Sequence, residues 1–121
     1  MAFVLKSSDS YTWPVVFRQP GNGGKRVKSD FVAEFARLSQ TRIAEIQQQA
    51  QRRADGDESL SISDTSVADE VLVGWEGVQD ADGEEIAFSP AMKSQLLEVP
   101  MLASAIVEAY FFSLIDEKRK N

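Results

Sequence analysis

Apolar residues recur with two different periods along this chain. The run from Tyr11 to Arg18 (YTWPVVFR) is β-branched and aromatic, and it predicts a strand. Pro14 inside it predicts an edge position, because Pro offers no donor to a central ladder. A strong turn signal, Pro20-Gly21-Asn22-Gly23-Gly24, follows. From Lys25 to Ala36, a period-2 face carries Val27, Ser29, Phe31, Ala33 and Phe35, with Lys28, Asp30 and Glu34 opposite. Together these segments predict a β-hairpin. A helix beginning near Asp30 is the competing reading, since Phe31, Phe35 and Leu38 also fit helical spacing.

The rest of the chain reads as helical. Ser39 is placed to cap a helix from Gln40 to Ala54, whose apolar stripe of Ile43, Ile46 and Ala50 is thin. Asp55 to Ser63 (DGDESLSIS) has linker composition. Ser66 to Asp69 has capping-box spacing and predicts a helix to about Trp75 that buries Val67, Val71, Leu72 and Trp75. A polar loop spans Gly77 to Glu85, and Ile86-Ala87-Phe88 is a short extended piece. Ser89-Pro90 starts a helix ending near Glu98, and Val99-Pro100 restarts a last helix from Met101 to about Lys118. The expected fold class is therefore α+β, an N-terminal β-hairpin followed by a mainly helical body. The chain reads as one domain over 1–121: a hairpin region 1–38, a polar helix 39–54, a linker 55–63 and a helical part 64–121.

Charge refines this picture. The net charge of -6 is unevenly spread. Residues 1–53 hold nine Lys/Arg against four acids, whereas 54–117 hold Lys93 against fifteen acids. Lys118, Arg119 and Lys120 then restore a short basic run. Such a split predicts two electrostatic faces or self-association through opposite charges. The chain has no Cys and no His, which excludes disulfides, Cys nucleophiles, Ser-His-Asp triads and nearly all zinc sites. The N-terminal apolar run Ala2 to Leu5 is too short for a signal-peptide core, and no run of about 18 apolar residues exists to span a membrane. A soluble protein of a reducing cytoplasm is expected, with no cofactor, no metal and no membrane partner.

Several local patterns bear on chemistry. Pro20 to Arg26 (PGNGGKR) lacks the spacing of a phosphate-binding loop and reads as a hairpin tip. Asp80 to Glu85 lacks the ligand register of a calcium loop. The acids between Asp55 and Glu85 lie in polar segments, without the pocket that would tune a catalytic acid. No enzyme is expected. Lys25, Arg26, Lys28, Arg37, Arg42, Arg52 and Arg53 could meet phosphates, and Trp13, Phe17, Phe31 and Phe35 could stack on bases. Core packing is the simpler role for those aromatics, and the acidic half opposes nucleic acid.

The last helix carries more apolar surface than one core contact needs. Leu102, Ile106, Val107, Tyr110, Phe111, Phe112, Leu114 and Ile115 encircle much of it. Tyr110, Phe111 and Phe112 point about 100° apart, so one side cannot hold all three. These eight residues form the candidate surface for a partner or a second copy, and self-association is expected.

The second half resembles the tail assembly chaperones of long-tailed siphovirus-type phages and prophages. The carrying residues are Val73-Gly74-Trp75-Glu76-Gly77-Val78, Asp80 to Gly83, Phe88-Ser89-Pro90, Leu96 to Pro100, Ala109-Tyr110 and Lys120-Asn121. The Trp13-Pro14-Val15 strand, the Gly-rich turn and Phe31 to Leu38 are similar too. The resemblance implies a small α+β protein that binds the tape-measure protein in the host bacterial cytoplasm and keeps it soluble. It also implies recruitment of the major tail (tube) protein, in many such proteins through a longer frameshifted form, and absence from the mature virion. A structural minor tail or connector protein is the alternative reading, followed by a nucleic-acid-binding regulator.

Overall fold

The structure is a computed structural model, and it describes residues 9–54 and 64–115. Strands β1 (Ser10–Pro20) and β2 (Arg26–Ala36) form an antiparallel hairpin with Val15 opposite Phe31 and Trp13 opposite Ala33. Its tip is a turn of 3-10 helix, Asn22–Gly24, closed by Gly21 N–H to the Lys25 carbonyl at 2.7 Å. Gly23 and Gly24 hold φ of 72° and 79° there, which glycine adopts without a Cβ clash.

Helices α1 (Gln40–Ala54) and α2 (Asp64–Val71) precede a third strand, β3 (Leu72–Glu76). β3 pairs antiparallel with β2, giving the sheet order β1-β2-β3 and leaving β1 at an edge that tolerates Pro14. Helices α3 (Pro90–Leu96) and α4 (Leu102–Ser113) follow.

This arrangement corrects the expectation of a hairpin followed by a mainly helical body. The organising unit is a three-stranded sheet to which the second half contributes a strand. Helical spacing of Val67, Val71, Leu72 and Trp75 suggested one helix to Trp75, but the helix stops at Val71. Val71 to Trp75 is rich in β-branched and aromatic residues, and Gly74 weakens a helix. Gly74 instead lets β3 approach β2: a Cβ there would lie 2.5 Å from Glu34 Oε1 and 3.2 Å from Glu34 Cβ. A bulge at Glu34/Phe35 pushes Val73 out of register, so Leu72 and Trp75 both reach the covered face. Gly77, at φ 86°, ends the strand rather than a helix. α2 also begins at Asp64, two residues before the expected Ser66 cap. The linker expected at 55–63 and the tail beyond 115 lie outside the described residues.

The core lies between one face of the sheet and the helices. β1 and β2 supply Val15, Phe17, Ala33 and Phe35, and β3 supplies Leu72 and Trp75. α2 adds Val67, Ala68 and Val71, α1 adds Ile46, and α4 adds Leu102, Ala103, Ile106 and Tyr110. Capping follows the sequence. Ser39 Oγ accepts from Arg42 N–H at 3.1 Å, and Ser89 Oγ accepts from Met92 N–H at 3.1 Å. Lys93, the lone base of the acidic half, donates to the carbonyls of Asp69 at 2.8 Å and Leu72 at 3.2 Å. It thereby satisfies backbone acceptors at the α2–β3 junction.

Candidate interaction surface

α4 lies along the covered face of the sheet, with its first residues near Phe17 and Phe31 and its end near Tyr11. Helical periodicity turns Leu102, Ile106 and Tyr110 inward, and all three are buried. The Tyr110 ring meets Phe35 edge-on at 5.2 Å, and its hydroxyl donates to the Ala36 carbonyl at 3.2 Å. Burial pushes the Tyr110 hydroxyl pKa up, so it stays a donor. Ser113 Oγ donates to the Tyr110 carbonyl at 2.6 Å. Its one hydrogen is then committed, so the Tyr11 hydroxyl donates to Ser113 Oγ across their 2.6 Å contact.

The eight candidate residues therefore divide. Leu102, Ile106 and Tyr110 belong to the core of their own chain. Val107 and Phe111 are half-buried, and Phe111 packs edge-on against Tyr110 at 5.6 Å. Phe112, Leu114 and Ile115 remain outside, 53%, 45% and 54% exposed. They form an apolar pole where β1 begins and α4 ends.

A second feature escaped the sequence. At the opposite end of α4, a groove of about 370 Å³ opens between the hairpin and the α3–α4 junction. Phe17, Phe31, Val78, Leu96, Val99 and Leu102 make it largely apolar, and Gln19, Ser29 and Asp80 add polar edges. Met101, which lies in sequence between the lining residues Val99 and Leu102, is 73% exposed. Only Pro100, which separates Val99 from Met101, hinted at an irregular junction here.

The remaining candidates resolve into structure. The Pro20–Arg26 segment is a hairpin tip. Asp80 Oδ1 accepts from the N–H groups of Asp82 at 2.9 Å and Glu84 at 3.0 Å, so it organises a turn around Gly83. Phe17 and Phe35 are core residues, which removes them from any stacking platform. Among the described residues, no group of three acidic side chains is placed to hold a metal ion. No helix among them is long and apolar enough to cross a membrane.

The family model described as YdaY prophage protein matches residues 28–112, from β2 almost to the end of α4. The chain belongs to the YdaY prophage protein family. Its matched segment contains most of β2, all of β3, the groove-lining α3–α4 junction and the buried face of α4. Membership makes this a phage or prophage protein. No curated protein and no solved structure matches the chain.

Proposed function

We propose that the protein is a non-enzymatic tail assembly chaperone. In this reading it binds the tape-measure protein in the host cytoplasm, keeps it soluble and helps bring tail-tube subunits to it, without entering the mature virion. The observation that carries the reading is the apolar pole of α4. Phe112, Leu114 and Ile115 are exposed on and just after a helix whose other face is core. Burying one such side chain contributes roughly 1.5–3 kcal/mol, which is a driving force for capture of an apolar helical client. The groove at the α3–α4 junction offers a second apolar contact. Membership of a prophage family supports a role in phage biology, and the motif resemblance supports the narrower role.

Co-expression with the tape-measure protein, followed by affinity capture, tests the proposal. A tape measure that is insoluble alone should become soluble and co-purify, and Phe112→Ser should reduce its capture. An unchanged, uncaptured tape measure would remove the chaperone role. Detection of the protein in purified virions would favour the structural tail component instead.

A further inference from the structure

Among the described residues, the helices cover one face of the sheet, and the other face is open along the hairpin. The pairing register sorts that open face into three zones. Its centre carries Pro14, Val16 and Val32, with the acid Asp30 directly across from Val16; Val16 and Val32 are 44% and 39% exposed. One end carries Glu34 on β2 and Glu76 on β3 beside Val32. The other end carries Arg18, Arg26 and Lys28. Arg18 lies directly across from Lys28, a like-charge cross-strand pair that destabilises an isolated hairpin. None of these three bases has a charged partner among the described residues.

Such a face is complementary to itself. Turning one copy over about a two-fold axis that runs in the plane of the sheet, across the strands, reverses strand direction. It sets the valine centre on its own image and the basic end over the acidic end. We propose that this open sheet face pairs with the same face of a second copy. The contact relieves the Arg18–Lys28 repulsion and removes the exposed valines from water. A nucleic acid fits less well, because Asp30, Glu34 and Glu76 share the face with the bases. The contact does not depend on the client-binding role, since it uses the side of the sheet opposite α4.

Light scattering and sedimentation of the full chain test it. The expected result is a dimer at micromolar concentration that weakens as salt is raised. Val32→Lys and the pair Arg18→Glu/Lys28→Glu should each weaken it by roughly tenfold or more. Mixing Arg18→Glu/Lys28→Glu with Asp30→Lys/Glu76→Lys should restore a dimer, because one face is then acidic and the other basic. Unchanged circular dichroism and tryptophan emission would show that each variant folds. A monomer at every concentration and salt would overturn the proposal. So would a dimer indifferent to these changes but lost in Phe112→Ser, which would move the contact to the α4 pole. Salt-sensitive binding of a short DNA duplex by a monomer, abolished by Arg18→Glu/Lys28→Glu, would assign the basic end to nucleic acid instead.

Discussion

Met101 combines two unfavourable features at one position. Its φ of 70° puts an L-residue in the left-handed region, and its side chain is 73% exposed. The left-handed conformation costs roughly 1–2 kcal/mol for a residue with a Cβ. It arises because Pro100 follows a tight turn in which Val99 N–H bonds the Leu96 carbonyl at 3.1 Å, after which the chain must turn sharply into α4. Met101→Gly should therefore raise stability by about 1 kcal/mol, read as a higher urea midpoint with unchanged slope. If Met101 serves the adjoining groove, the same variant should capture client less well, a gain in stability with a loss of function. Unchanged or lower stability would mean that the Met side chain packs usefully where it stands. Local chemistry of this kind was only partly legible in the sequence. Ser39 and Ser89 announced their caps because a cap is satisfied within four residues. The strained Met101 did not, because its conformation is set by the three-dimensional path of the turn that joins α3 to α4.

At the scale of elements, α1 is joined to α2 by a bidentate pair. Arg42 donates to both carboxylate oxygens of Glu70, at 2.9 and 2.8 Å, and reaches Glu45 at 3.2 Å. The hydrogen bonds from Arg42 hold the Glu70 carboxyl below its ordinary range. A carboxyl whose pKa is lower in the folded chain stabilises the fold above its unfolded pKa. That contribution disappears as pH falls through the lowered value. Urea midpoints should thus show wild type above Glu70→Gln at neutral pH, with the gap closing once pH drops below the ordinary carboxylate range of about 4. A gap independent of pH would show that packing, not ionisation, carries the contact. The elements themselves were unevenly readable. The hairpin showed itself because period-2 alternation and a Gly-rich turn agreed. β3 was hidden, because Val67, Val71, Leu72 and Trp75 satisfy helical spacing and the bulge at Glu34/Phe35 disrupts strand alternation. Only β2, distant in sequence, makes Leu72–Glu76 a strand.

At the scale of the molecule, the surfaces argued for separate functions do not overlap. The apolar pole of α4 lies where β1 begins, the groove lies toward the hairpin tip, and the open sheet face lies on the side away from both. The sequence exposed the surplus of apolar residues on the last helix but not their division. Three of the eight are consumed by the core, and which three depends on the rotation of α4 against Phe35. Separation has a functional consequence. A dimer joined through its sheets presents two α4 poles, so a long client offering repeated apolar segments can be held at two points. Linked contacts of this kind strengthen binding by factors on the order of 100 or more. Val32→Lys, which is designed to leave the pole intact, should bind a single apolar helical segment as wild type does. On a surface densely coated with that segment, wild type should dissociate far more slowly, whereas the variant should dissociate at the same rate at either density. Surface-based dissociation kinetics at low and high coating would read this directly. Equal slow release by both proteins on the dense surface would show that the second copy adds nothing to client retention. Loss of binding by Val32→Lys at low coating would place the client on the sheet face itself.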